Sequence, residues 1–151
     1  MCIRDRIDSY ESGKWIIGKR HIKKDEDVFR GHFPEQAVYP GVLLLEGIAQ
    51  TAGALAGLMG DTESLFYIAA VSKAKFIAPV YPDSHLVFKV SISKQKGDFF
   101  WFEGEAIHED TAVVKAQIMA VRKSRDCLLY TSDAADDMQC VDLGGRRIIK
   151  K

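Results

Sequence analysis

A chain of 151 residues, 47% hydrophobic and 28% charged, is long enough to bury a core as one globular domain. Its 21 basic and 21 acidic side chains cancel, and with neither a dense basic run nor an RNA-type aromatic platform in the central region, nucleic acid is not an expected partner. The cysteines are Cys2, Cys127 and Cys140, so no disulfide framework or metal-type cysteine spacing serves the centre, and no charged start followed by an apolar segment points to secretion.

The two ends differ from the middle. The opening MCIRDR and the last stretch, CLLYTSDAADDMQCVDLGGRRIIKK, resemble translated adapter sequence, and the latter shows neither sustained helical nor alternating period. The expected organisation is a non-native leader at 1–6, one domain at 7–126, and a non-native or disordered tail at 127–151. A genuine mobile tail with a basic end is the alternative.

Within the domain, residues 7–10 and 14–21 flank a Ser12-Gly13 turn and predict a short hairpin. A charged loop over 23–27 leads to Gly31–Gln50, read GHFPEQAVYPGVLLLEGIAQ. This segment sets His32 in a Gly-His-Phe-Pro turn, and Glu46 in an apolar stretch that runs from just after Pro40-Gly41 to about Met59. Pro40 and Gly41 predict a helix start, proline being tolerated in a first helical turn. The stretch 42–59 approaches membrane-spanning length, but Glu46 and Gln50 interrupt it, Gly and Ala are frequent, and strand-like segments follow. It therefore predicts a buried core helix and no membrane span. Its small residues, among them Gly47, Ala49, Ala52, Gly53, Ala56 and Gly57, would admit a sheet or a partner helix at close range. Being apolar nearly all round, it is expected to be enclosed, and Gly60-Asp61 to end it.

Strands are predicted at 65–71 and 73–77, then, after a Pro79–Pro82 bend, at 86–95, 99–108 and 111–122, with turns at Lys96-Gly97-Asp98 and Glu109-Asp110. Leu86, Phe88, Val90 and Ile92 alternate with Val87, Lys89, Ser91 and Ser93, the period of a half-buried strand. One buried helix among long antiparallel strands implies an α+β domain, an antiparallel sheet wrapped around a long central helix.

A lone carboxylate in a buried helix is costly unless paired, hydrogen-bonded or protonated. A nearby imidazole is the side chain best suited to exchanging protons near neutral pH. His32 and Glu46 together therefore suggest an acid–base enzyme.

The string GHFPEQAVYPGVLLLEGIAQ, continued by FYIAAVSKAKF, the Pro79-Val80-Tyr81-Pro82-Asp83 bend and the final strands, resembles the (3R)-hydroxyacyl-acyl carrier protein dehydratases of type II fatty acid synthesis over residues 7–123. The separation of His32 and Glu46, 46 − 32 = 14 residues, fits the family motif. The resemblance implies the hot-dog fold, a homodimer or a hexamer built from dimers, and active sites that combine the histidine of one subunit with the glutamate of its partner. It implies a cytoplasmic lyase that converts (3R)-3-hydroxyacyl-acyl carrier protein to the trans-2-enoyl product and water. No metal or redox cofactor is expected, because the elimination is redox-neutral. Phosphopantetheine arrives as part of the substrate, and acyl carrier protein is the expected partner.

On this reading His32 takes the α-proton, and Glu46 protonates or orients the departing hydroxyl. Backbone N–H groups at the helix start, Gly41 foremost, would hold the enolate-like thioester oxygen. By resemblance, the Val38 carbonyl orients His32, Gln50 positions the Glu46 carboxylate from one turn away, and Tyr67 stands near the mouth of an acyl tunnel. Each also has a plainer reading. His32 can stabilise a turn, Glu46 can cap a helix or make a dimer contact, and Gly41 can simply begin the helix. Gln50 can satisfy buried polar groups and Tyr67 can be strand packing. Lys73 and Lys75 suit either an acidic carrier protein or a solvated strand face, while His21, His85 and His108 lack a comparable setting. Glu46 stands where the dehydratase-isomerase branch has aspartate, and Val42 where it has cysteine, which favours dehydration without isomerisation. Relatives also carry an additional segment before the first hairpin. The alternatives are a hot-dog thioesterase or CoA-linked hydratase, and an inactive acyl-binding module.

Overall fold

The computed structural model describes residues 6–60 and 63–124, so the expected tail, the expected leader apart from Arg6, and all three cysteines lie outside the described residues. Strands β1 (Arg6–Glu11) and β2 (Trp15–Ile22) form the predicted hairpin, and a 3-10 turn (Asp27–Arg30) follows. Helix α1 (Gly41–Gly57) then precedes β3 (Ser64–Phe76), β4 (Ser84–Lys96), β5 (Phe99–His108) and β6 (Thr111–Ser124). The strands make one sheet in the order β1-β2-β4-β5-β6-β3, with every neighbouring pair antiparallel. The long connection from β2 through α1 to β3 carries the chain across to the far edge of the sheet.

Alternation in the last strands decides which face meets the helix. Along β4, Ser84, Leu86, Phe88 and Val90 are buried while His85, Lys89 and Ser91 are exposed. In β5 and β6, Phe100, Phe102, Ala106, Val114, Ala116 and Ile118 continue the same inner surface. The β5–β6 turn is made by Glu109 at φ 47° and Asp110 at φ 63°, two successive left-handed residues that match the twist of a tight hairpin.

Helix α1 lays Leu44, Ile48, Thr51 and Leu55 on that surface, with Gly47, Ala52 and Ala56 beside them. Spacings of three and four put these residues on one stripe. The close approach comes from the sheet as much as from the helix. A Cβ at Gly104 of β5 would stand 2.3 Å from Ile48 Cγ2, whereas one at Gly53 or Gly57 of the helix would meet nothing within 4 Å. Among the described residues no helix is long and apolar enough to cross a membrane.

Three details differ from the sequence-based expectation. The helix begins at Gly41, with Pro40 as its N-cap at φ −60° and ψ 125°. Only one face of the helix is enclosed, and Leu43, Leu45, Ala49 and Ala54 are half-buried in the single chain. The strands expected at 65–71 and 73–77 are one strand, β3, whose pairing with β6 shifts register between Ile68 and Ala70 and between Val71 and Lys73. Such irregularities insert residues without ending a strand, and they interrupt the alternation by which a strand is read. β3 forms one edge of the sheet, and every residue from Tyr67 to Phe76 is exposed.

Candidate active site

The loop between the 3-10 turn and α1 is closed by its own backbone. Val38 N–H donates to His32 O at 2.8 Å, and Phe33 N–H donates to Gln36 O at 3.1 Å. The His32 ring is held by the same residue, with 2.7 Å between Nδ1 and Val38 O. A carbonyl only accepts, so Nδ1 carries the proton, and in the neutral imidazole Nε2 keeps its lone pair as a base. One residue further, Tyr39 N–H donates to Val80 O at 2.7 Å, which fixes the loop to the segment between β3 and β4.

His32, Val38 and Gly41 line one cleft of about 290 Å³, together with Phe76, Pro79 and Val80. Gly41 opens α1, so its N–H lies in the first turn, where no intrahelical acceptor exists and the helix dipole is positive. Phe76 lies against it, since a Cβ at Gly41 would stand 2.6 Å from the ring. A glycine here thus allows the end of β3 to close on the helix start. The cleft therefore combines an imidazole of defined tautomer with a helix N-terminus, an arrangement able to accept a proton and to stabilise an oxyanion.

Glu46 is not among the residues lining this cleft. It sits on α1, where Gln50 Nε2–H donates to its Oε1 at 3.2 Å, one helical turn away. Tyr67 lies opposite Val121 on edge strand β3, 40% exposed, and does not line the cleft either. The single chain thus brings together His32, Val38 and Gly41 as one group and Glu46 with Gln50 as another.

Lys73 and Lys75 line a larger hollow of about 690 Å³ with Lys89, Lys115, Glu103 and Glu105, which contains none of these site residues. Its charges are partly matched across strands, Lys115 Nζ standing 3.6 Å from Glu105 Oε2. His21 and His85 are register partners near the ends of β2 and β4, their rings stacked at 4.2 Å, with His21 Nε2 2.6 Å from Asp83 Oδ1.

Sequence reading did not single out Phe76, Tyr39, Arg20 or Glu26. Phe76 borders the Pro79–Pro82 bend, the only local sign of its place in the cleft. Arg20 is 7% exposed on β2, on the buried face it shares with Ile16, Gly18 and Ile22, where the alternation was the available signal and the charge of arginine masked it. It pairs with Glu26, Nη2 to Oε2 at 2.6 Å, and its guanidinium carbon lies 5.5 Å from the centre of the Tyr39 ring. Burial pushes the Tyr39 phenol above its ordinary 10.0, while the Arg20 charge acts in the opposite sense.

The strand order and the helix packed on one face of the sheet define a hot-dog-fold protein, and solved structures share that fold. The dehydratase heterocomplex ApeI:P from Xenorhabdus doucetiae superposes with a TM-score of 0.71 at 17% identity, covering 87% of this chain and 90% of the other. The E. coli PaaI protein gives 0.64 at 12% identity over 79% of each chain. Residues 1–117 match the FabA-like domain. A 3-hydroxyacyl-[acyl-carrier-protein] dehydratase FabZ of Actinobacillus pleuropneumoniae serotype 5b is 39% identical over 123 residues, 79% of each chain. A protein of the same name from a Sulfurovum species is 36% identical over 124 residues, 78% of this chain and 83% of the relative. The chain belongs to the FabA-like family.

Proposed function

We propose that this protein removes water from (3R)-3-hydroxyacyl-acyl carrier protein to form the trans-2-enoyl thioester, in fatty acid biosynthesis. The observation that carries this reading is the His32 ring held through Nδ1 by Val38 O in a cleft floored by the start of α1. His32 Nε2 takes the α-proton, and the resulting negative charge on the thioester oxygen is held by N–H groups at the helix start, Gly41 first. The Cβ–O bond breaks as Glu46, positioned by Gln50, supplies a proton to the leaving hydroxyl, and water departs. Transfer of a proton from His32 back to Glu46 resets the pair. The reaction consumes no electrons, so it needs no redox cofactor; His32, Glu46 and the helix-start N–H groups fill the roles a Lewis-acid metal would otherwise serve, and the phosphopantetheine arm comes with the substrate.

The active form is a homodimer or a hexamer built from dimers, with His32 from one subunit facing Glu46 from another. Three features support this: Glu46 lies outside the His32 cleft, α1 keeps a half-open apolar face, and β3 leaves a long edge with Tyr67, Ile68, Val71 and Phe76 exposed. A long, exposed and largely apolar edge strand invites pairing with another chain. Acyl carrier protein is the macromolecular partner, nucleic acid is not, Tyr67 borders the acyl tunnel, and the enzyme works in the cytoplasm.

The test is product analysis with a short 3-hydroxyacyl carrier-protein substrate. Formation of the enoyl thioester and water is expected. Release of a free acid would replace this reading by a thioesterase, and binding without turnover by an acyl-binding module.

A further inference from the structure

The geometry points to Arg20 as a positioning residue for His32, acting from the core through both ends of the loop that carries it. Upstream, Arg20 Nη2 meets Glu26 Oε2 at 2.6 Å. Glu26 is built into the chain just before the loop: its Oε1 accepts from Lys23 N–H at 3.0 Å, and its backbone carbonyl accepts from Phe29 N–H at 3.1 Å within the 3-10 turn. Downstream, the same guanidinium lies against the Tyr39 ring, and Phe29 contacts Tyr39 with 5.9 Å between ring centres. Residues 30–38 are therefore a loop whose two feet, Phe29 and Tyr39, touch each other and are tied to one buried cation.

What lies between those feet is the pair of contacts that defines the base, His32 Nδ1–H to Val38 O at 2.7 Å and Val38 N–H to His32 O at 2.8 Å. Val38 adjoins Tyr39, so a shift of the Tyr39 foot is passed directly to the carbonyl that sets the His32 tautomer. The Arg20 backbone is itself fixed, since its strand position is paired with Leu86 of β4. A buried guanidinium is a costly way to stabilise a loop. Arg20 Nη1 and Tyr39 Oη are both buried and have no hydrogen-bond partner among the described residues. Positional definition is what such an ion pair supplies in return, and the loop it defines is the one that carries the imidazole.

The inference rests on His32 acting as the base of the proposed dehydration, so the experiment includes a readout that needs no substrate. Arg20→Met, Arg20→Lys and Glu26→Gln are compared with the unsubstituted chain by steady-state kinetics and by the His32 Nδ1–H proton resonance. Phe102→Leu, a core change on β5 away from the loop, serves as a stability-matched control. Arg20→Met is expected to lower kcat by about ten- to a hundredfold with KM changed less than about twofold, as a misplaced base does, and to broaden or abolish the Nδ1–H signal. Arg20→Lys, which can still meet Glu26, should restore most of both. Phe102→Leu should alter neither. If Arg20→Met fails to fold, Glu26→Gln carries the same expectations in weaker form. A folded Arg20→Met, or in its place Glu26→Gln, that keeps both kcat and the Nδ1–H signal would overturn the inference. So would a control that loses as much kcat at equal stability. A lost signal in a chain whose unsubstituted form never dehydrates the substrate would leave the brace standing and remove only the proposed reaction.

Discussion

His32 and Glu46 carry different burdens, and each can be tested without disturbing the fold. His32 is half-buried on a loop and Glu46 half-buried on a helix, so neither supports the central core. His32→Ala and Glu46→Gln are each expected to reduce dehydration by about a hundredfold to ten-thousandfold, with circular dichroism and melting little changed. Exchange of the substrate's α-proton should fall with His32→Ala, and normal exchange in that folded variant would show that another group is the base. Tyr39 offers a test of burial. Its phenol is raised above 10.0 in the fold, so the stabilising preference for the neutral form is fully present below that value and is lost as pH rises through the folded pKa. Denaturant unfolding from about pH 8 to 11 should show an alkaline loss of stability that Tyr39→Phe reduces. At neutral pH the same substitution should cost little, because the ring keeps its place against Arg20 and the hydroxyl makes no well-formed hydrogen bond among the described residues. An unchanged alkaline limb would mean that other groups cause it.

Among the elements, α1 and β5 meet at close range at Gly104. A methyl at residue 104 would have to displace Ile48 Cγ2 at 2.3 Å and press Val90 Cγ2 at 3.2 Å. Gly104→Ala is therefore expected to destabilise by about 1–3 kcal/mol, the range for overpacking a filled core. In an Ile48→Ala background the same change should cost much less, so the double variant should be more stable than the sum of the singles. Additive losses in urea unfolding would place the strain elsewhere. Most elements were legible beforehand because their signals are local. The Ser12-Gly13 turn, the Glu109-Asp110 turn and the alternation through 86–92 each depend on neighbours in sequence. The continuity of β3 was not legible, since two register irregularities break the period and only pairing with β6 shows one strand across them.

For the whole molecule, the separation of Glu46 from the His32 cleft sets the decisive experiment. Chains bearing His32→Ala and chains bearing Glu46→Gln should each be nearly inactive alone. Mixed and reassembled, they should recover about a quarter of the unsubstituted activity, since random pairing yields mixed dimers in half the population and each mixed dimer holds one intact site under the closed two-fold symmetry usual for homodimers. Light scattering should report a dimer or larger under the same conditions. A fully active monomer would remove the shared-site arrangement. So would a mixture with no recovered activity despite proven subunit exchange.

The sequence by itself determined the pieces and their chemistry. Turn residues, alternation and one long apolar stretch specify hairpin, helix and strands because those preferences act within a few residues. A histidine in a Gly-His-Phe-Pro turn, with a carboxylate in an apolar helix, suggests the proposed acid–base work, because an isolated carboxylate is costly in such a helix and an imidazole exchanges protons near neutral pH. Only the tertiary structure decided which groups share a space. That Phe76 closes on Gly41 and that Gly104 admits Ile48 depend on residues far apart in the chain, and that Arg20 meets both Glu26 and Tyr39 depends on how the chain between them folds back on β2. The physical reason is that close packing and buried charge pairing arise only after strands from opposite ends of the sequence lie side by side, and no periodicity in any one of them records which neighbour it will meet.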